Sequence, residues 1–547
     1  MPSPLAHAPT LRHDNGPHQL AHYASVKPYY ITTAIDYTNA PPHIGHAYEK
    51  VLADVMARFQ RLTGREVFFL TGVDQHGQKV QKSAEQAGVT PAEFVHDVTE
   101  KFIALWDRLN VRYDSFAQTV DEKHKLVVRA MLQKLHDCGQ LYKQSYKGHY
   151  SVRQEQFLTD KERGPDGKFG EEWGEVVELE EENWYFKLSE HVEWLRSFIQ
   201  SHPGFIFPSF RANDVLNALQ AGSDLCISRP VERLSWGIPL PFDERFVNYV
   251  WFDALANYIS FVGYMAEEVG NVGMPEFAKL WPADAHVIGK DILVPAHAIY
   301  WPIMLHALGF SDDQIPRLIV HGWWNIKGQK MSKSLGNVVD PNNLCDVFTA
   351  DGLRYYLMRD MSTGYDADLS EERMDIAYNK ELAGGLGNLL NRTLNMAQKY
   401  RSGGVSLSSY DDEVNQALRA TVTEAPARFV EKMNAWAIHD AIAEVWKIVT
   451  HANQFVDVTA PFKLAKDETQ AARLDSVLHH LAEALVQVSV LLSPIIPEAC
   501  DKMRAQLGWQ MPDGFKVQDL HWGLLPDGHQ LGQPVPLFPK LELGEAK

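Results

Sequence analysis

The chain has 547 residues, 45% hydrophobic and 22% charged, an ordinary globular composition but too much chain for a single core. Its 52 Lys and Arg against 70 Asp and Glu leave a net charge of −18, which excludes a protein that coats nucleic acid indiscriminately, though not one with a local basic groove. Cys138, Cys226, Cys345 and Cys500 are too scattered for a zinc knuckle or a disulfide framework, and no apolar run reaches membrane-spanning length.

Residues 1–27 lack the charged start and apolar stretch of a signal peptide and read as a flexible arm. Tyr29 to Ile35 is rich in β-formers and reads as a buried strand, followed by a loop from Asp36 to Pro42. A helix follows with Ala47, Val51, Val55, Phe59 and Leu62 on one stripe, closed by Gly64, and Glu66 to Val73 is the next strand. Strand, helix and strand make a βαβ unit, so an α/β domain of Rossmann type is expected. Its first half spans 28–138. Residues 139–184, with turn signals at Gly164-Pro165-Asp166-Gly167, read as a small insertion of short strands, or as one long loop. The α/β pattern returns over 185–339, with strands at Ala285 to Gly289 and Leu318 to His321. Beyond a linker at 340–375, periodic apolar segments near 376–400, 411–433, 436–456 and 470–492 predict an all-α bundle within 376–547, and a Pro- and Gly-rich tail past Leu507 is expected to wrap its surface. The four thiols fit a reducing cytoplasm and are expected to pack as small apolar groups.

Two motifs carry chemistry. In Lys330-Met331-Ser332-Lys333-Ser334, two lysines three apart suit a triphosphate, each ammonium being a mobile charge with three donors. A solvated basic loop is the alternative. A given pentapeptide arises by chance about once in a few million windows. In Pro42-His43-Ile44-Gly45-His46, a strand passes into a helix whose open N–H groups favour phosphate. Gly45 allows a base or sugar to approach, and His43 and His46 fall on one turn. An ordinary helix start, or half a metal site, would look the same.

In order and separation the pair resembles the HIGH and KMSKS signatures of class I aminoacyl-tRNA synthetases. Thr33 to Asn39, Gly72-Val73-Asp74-Gln75-His76-Gly77, Tyr249 to Ala254 and Gly289-Lys290-Asp291-Ile292 narrow the resemblance to the methionyl-tRNA synthetases, over about Tyr29 to Pro497. It implies a methionine–tRNA ligase using ATP with Mg2+, and L-methionine and the initiator and elongator methionine tRNAs as partners. It implies phosphate stabilisation by His43, His46, Lys330 and Lys333. Gly45, Glu49, Gly289, Asp291, Trp324, Met331 and Ser332 would hold ATP. Ala34, Ile35, Tyr37, Asp74, Trp251, Ala254, Tyr258, Ile292 and His297 would hold methionine. The residue chemistry agrees: Asp74 at a strand end suits an ammonium, and Trp251 and Tyr258, seven apart on a helix face, suit a thioether. Asp74 as a turn residue, Asp291 as a surface-loop residue, and Trp251 and Tyr258 as plain core are the alternatives. Asn388 and Arg392 on one helix face, with Phe462, match the family's anticodon site; a solvated helix face is the alternative.

Three departures stand out. The family's zinc knuckle would fall at Tyr150 to Gln154, where Ser151 and Gln154 supply no thiolate, so no structural zinc is expected. The stretch from Asp291 to Trp301 runs one residue longer, at Val294-Pro295-Ala296, which turns a helix by about 100° and would swing His297 away unless a loop absorbs it. Phe462 stands where the family has Trp. The chain also leaves no room for the extra C-terminal domain of some members, so a monomer is expected. Synthetases for leucine, isoleucine and valine need an editing insertion larger than 139–184, and the cysteine enzyme needs a zinc site. A non-catalytic relative would be free to lose the histidines and lysines, and a nucleotidyl transferase would not need the bundle.

Overall fold

A computed structural model of the chain describes residues 27–542 except 154, 155, 165, 220–222 and 332–337, and the backbone alone of 146, 156, 157, 161 and 330. Its centre is a parallel sheet of β1 (Tyr29–Thr33), β2 (Asp36–Tyr37), β3 (Val67–Asp74), β4 (Ser115–Gln118), β5 (Ile206–Phe207), β6 (Ala285–Gly289) and β7 (Leu318–His321). The order across it is β4-β3-β1-β6-β7-β5, and β2 carries on from β1 beside the far end of β3. The expected loop after Ile35 therefore opens with two paired residues, because Asp36 and Tyr37 run alongside Val73 and Asp74. The order reverses between β1 and β6, and a crevice opens there at the carboxyl ends of the strands.

Alternate side chains enter two cores, one on each face of the sheet. Tyr29, Ile31, Val287 and Ile319 face α1 (Ile44–Leu62), and Tyr30, Leu70, Ile288 and Val320 face α2 (Glu122–Asp137) and α3 (Val250–Ser260). Burial on both faces explains why these strands read as continuous apolar runs. The insertion is an antiparallel pair, Leu141–Ser151 against Val176–Phe186, which also picks up Leu225–Cys226. Ser151, at the knuckle position, donates from Oγ to the Trp173 carbonyl at 2.6 Å; Gln154 lies outside the described residues.

α4 (Pro341–Asp360) links the sheet to the bundle. Helical geometry breaks inside it at Thr349, with φ 64° and ψ 165°. The bundle comprises α5 (Asn388–Arg401), α6 (Glu413–Asn434), α7 (Ile438–Thr459), α8 (Ala471–Leu491) and α9 (Pro497–Leu507), and shares the core beneath α1. At their junction the fully buried Arg354 of α4 donates to Asp54 Oδ2 of α1 (2.7 Å) and to the carbonyls of Leu109 (3.1 Å), Pro494 (2.9 Å) and Ile495 (2.8 Å). Two expectations are corrected. The tail does more than wrap the surface: Leu525, Leu531 and Phe538 are buried in the bundle core, apolar anchors between its turns. Of the thiols, Cys345 and Cys500 are buried, but Cys226 is half-buried and Cys138, just past the end of α2, is exposed.

Candidate active site

The crevice is a cavity of 560 Å³ with its two ends built from different elements. At one end stands the start of α1. His43 Nδ1 accepts the Gly45 N–H at 3.1 Å, and His46 Nδ1 accepts the His43 N–H at 3.1 Å. The two imidazoles thus form a capping box, where Ser and Glu are the usual pair. With both Nδ1 atoms accepting, each neutral ring carries its proton on Nε2, as a donor. The rings stack with centroids 3.8 Å apart. A Cβ on Gly45 would lie 3.0 Å from His43 Cε1, so the glycine of the motif also makes room for the ring.

One turn on, Glu49 and Lys50 are buried. Lys50 Nζ reaches Asp36 Oδ1 (2.7 Å), Glu49 Oε1 (2.8 Å) and the Ala34 carbonyl (2.9 Å), and His321 Nε2 lies 3.1 Å from Glu49 Oε2. Burial raises the Glu49 carboxyl, but Lys50 and His321 outweigh it and hold it below the usual carboxylate range. A Cβ on Gly289, at the end of β6, would lie 2.7 Å from Asp291 Oδ1 and displace that carboxylate. Trp323 Nε1 donates to that same Asp291 oxygen at 3.2 Å, and Lys290 lies over the Trp323 ring at 3.8 Å. Trp324 is buried against Tyr48 and Tyr356. Met331 also lines the cavity. The side chain of Lys330, and Ser332 and Lys333 entirely, lie outside the described residues.

At the other end, Ala34, Ile35, Tyr37, Asp74, Trp251, Ala254, Tyr258, Ile292 and His297 all line the cavity. The run into His297 is not a regular α-helix: Val294 leaves helical geometry (φ −111°, ψ 127°), and Leu293–Tyr300 winds on with wide turns. His297 faces the cavity. Its Nδ1 lies 2.9 Å from the Ile292 carbonyl and therefore carries the proton, leaving Nε2 to accept the Tyr258 hydroxyl at 2.7 Å. Burial pushes the His297 imidazole down to about 4. Tyr258 is held from behind by stacking on His286, at 4.1 Å between centroids.

Sequence reading missed the links behind these residues. Asp253 of α3 is buried between His76 Nδ1 (2.6 Å) and His124 Nε2 (2.7 Å), tying the turn after Asp74 to α3 and α2. Burial raises its carboxyl, yet the two imidazoles bring it down to about 2. Asp36, Lys50 and His321 were likewise unassigned; their only signal is charge inside an apolar run. In the bundle, Asn388 and Arg392 sit one turn apart on α5, Arg392 pairs with Asp457 near the end of α7 at 3.0 Å, and the half-exposed Phe462 follows five residues on.

A parallel sheet with a histidine-capped helix at its reversal point, a cavity divided in this way, and a helix bundle after it together form the architecture of a class I tRNA synthetase. The family model for class I (M) tRNA synthetases matches residues 29–178 and 172–394, and the anticodon-binding domain of methionyl tRNA ligase matches 406–547. A methionine–tRNA ligase of Caldanaerobacter subterraneus subsp. tengcongensis is 41% identical, over 94% of this chain and 79% of that protein. One from Clostridium perfringens is 40% identical, over 95% and 79%. The structure of Mycobacterium tuberculosis methionyl-tRNA synthetase in complex with methionyl-adenylate superposes with a TM-score of 0.86 at 36% identity, covering 94% of this chain and 100% of that one. The chain belongs to the methionine–tRNA ligases, the methionyl family of class I aminoacyl-tRNA synthetases.

Proposed function

We propose that the cavity activates L-methionine with ATP and then passes it to the 3′ end of methionine tRNAs, initiator and elongator alike. The carrying observation is the cavity's division, with phosphate-binding groups at the α1 end and an acid with an aromatic pocket at the other. The methionine carboxylate attacks the α-phosphorus of ATP and pyrophosphate leaves. The terminal ribose hydroxyl of tRNA then attacks the adenylate carbonyl, releasing AMP. The first nucleophile arrives ionised, so the protein's work is positioning and charge stabilisation. In this reading His43 and His46 donate from Nε2 to phosphate oxygens, joined by Lys330 and Lys333. Gly45, Glu49, Gly289, Asp291, Trp324, Met331 and Ser332 receive the nucleotide, and Asp74 takes the methionine ammonium. Trp251, Tyr258 and His297 surround the thioether, with Ala34, Ile35, Tyr37, Ala254 and Ile292 closing the pocket. Because the Tyr258 proton is committed to His297, the hydroxyl presents lone pairs to the side chain.

Magnesium would neutralise charge on the ATP oxygens. Asp291, Glu49 and Asp36 are the cavity acids beside the nucleotide in this reading, but Glu49 is already committed to Lys50 and His321, and Asp36 to Lys50. In this reading the metal arrives with ATP, and Asp291 is the cavity acid placed to meet it. Asn388, Arg392 and Phe462 are read as the anticodon contacts, and residues 340–375 as the linker beside the tRNA stem. The working unit is taken as a cytoplasmic monomer; four cysteines outside any disulfide support the reducing compartment. No helix among the described residues is long and apolar enough to cross a membrane.

The test is ATP–pyrophosphate exchange, one amino acid at a time, on protein treated with EDTA, dialysed and resupplied with magnesium. Exchange with methionine alone is expected. Exchange with another amino acid, or with none, would overturn the proposal.

A further inference from the structure

Asp36 is the acid of the cavity that the proposed reaction leaves unused. It stands on β2 with Oδ1 2.7 Å from Lys50 Nζ and 4.0 Å from His46 Nε2. Its Oδ2 is buried and meets no donor among the described residues. Lys50 is shared with Glu49, and Glu49 also has His321. Two carboxyls therefore divide one ammonium, and of the two only Glu49 has His321 as a second close partner. Among the described residues, Lys79 is a further cation lining this cavity, with its Nζ 6.0 Å from the centre of the Tyr37 ring. From α1 come His46 and the stacked His43, whose Nδ1 atoms accept backbone N–H groups. Asp74 lies across the strand pair opposite Tyr37, Phe102 packs edge-on to His46, and Trp106 lies beneath Lys50. Burial of a carboxylate oxygen without a donor penalises the ionised form, and the neutral acid removes that charge from the buried setting.

We propose that Asp36 is a proton-linked residue of the ATP site: it takes up a proton from solvent as the triphosphate docks at the start of α1, so that the Asp36–Lys50–Glu49 cluster passes from one net negative charge to none beneath the phosphates. The inference rests on reading this end of the cavity as the ATP site. Its action is through space, since Oδ2 is closed off by protein. Burial, with Glu49 adding to it and Lys50 only partly opposing, pushes the Asp36 carboxyl up to about 7, so the free protein is poised between the two forms. Phosphate charge a few ångströms away disfavours the ionised form further. The acid form therefore prevails in the complex. ATP affinity is complete below the free-state value and declines as pH rises through it, by up to about tenfold for each unit by which docking raises the group.

The experiment is calorimetric titration of magnesium ATP into the full chain and into Asp36→Asn, at pH 7.5 in two buffers of unlike ionisation enthalpy, repeated from pH 6.5 to 8.5. The unaltered chain is expected to take up on the order of half a proton more than Asp36→Asn, and to lose about tenfold in affinity across that range, where the variant stays within about twofold. Equal proton uptake and parallel pH curves would overturn the proposal. Asp36→Thr, neutral and β-branched for a strand, repeats the test should the Asn variant fold poorly. Absence of any ATP heat in the unaltered chain at every pH would sink the ATP-site reading, and this inference with it.

Discussion

His46 illustrates how much one side chain carries. It closes the capping box of α1 through Nδ1 and presents Nε2–H to the cavity. Removing one such donor costs about 3 kcal/mol of barrier, so His46→Ala is expected to lower kcat for methionine-dependent exchange about 100-fold. Part of any loss of stability in that variant belongs to the cap, which circular dichroism melting separates from the kinetic effect. His297 contributes a pH limb to stability. Folded, it stays neutral down to about pH 4, whereas the unfolded chain takes up a proton near 6.5. The unfolded state thus binds the extra proton between those values. The stabilisation is complete above 6.5 and falls by about 3 kcal/mol at most as pH drops to 4. His297→Asn should flatten that limb in urea midpoints measured across pH 4–7. Thr349 sits at φ 64° and ψ 165°, a region almost reserved for glycine. Its Oγ1 accepts the Gly352 N–H at 3.2 Å, a partial return for the strain. Thr349→Gly is expected to stabilise by about 1 kcal/mol, the relief exceeding the lost bond and glycine's entropy. A later urea midpoint would confirm it, and an earlier one would mean that the hydroxyl matters more than the strain.

At the scale of elements, the strands and helices that frame the cavity were legible because each is set by local pattern. β1 and β3 read as apolar runs, α1 as a stripe with a cap, and the bundle helices as periodic segments. Motif residues at strand ends and helix starts were legible for the same reason, since topology sends those ends to one crevice. What joins the elements was not legible. Asp253 and His76 are 177 residues apart in sequence, and Arg354 and Asp54 are 300. No periodicity encodes such pairs. Asp36 was taken for loop because two residues are too few to show an alternation. The Arg354 junction yields a prediction of its own. Arg354→Met leaves Asp54 with only Arg58 and the Arg112 N–H and takes the donor from three carbonyls, so a loss of about 3 kcal/mol is expected. It should appear as faster proteolysis between the sheet and the bundle, with an earlier first unfolding transition. An unchanged digestion pattern would show that the shared apolar core holds the joint by itself.

For the whole molecule, one apolar core runs from the sheet face under α1 into the bundle and takes in the tail at Leu525, Leu531 and Phe538. The histidine-bearing helix and the residues read as anticodon contacts are thereby parts of one packed body, a geometry suited to holding a long RNA at two distant points. The sheet itself has a further consequence, in how the chain is made. β1 lies between β3 and β6, with Ile31 opposite both Phe69 and Ala285, so one of its edges is completed early and the other only after some 250 further residues. At roughly 5–20 residues per second, a ribosome leaves that second edge open for about 13–50 s. During that interval the insertion hairpin can close on itself, while an unpaired apolar strand waits beside the exit tunnel for its partner. A shortage of charged tRNA lengthens the wait, so a cell short of this product is also slowest to finish the fold that makes it.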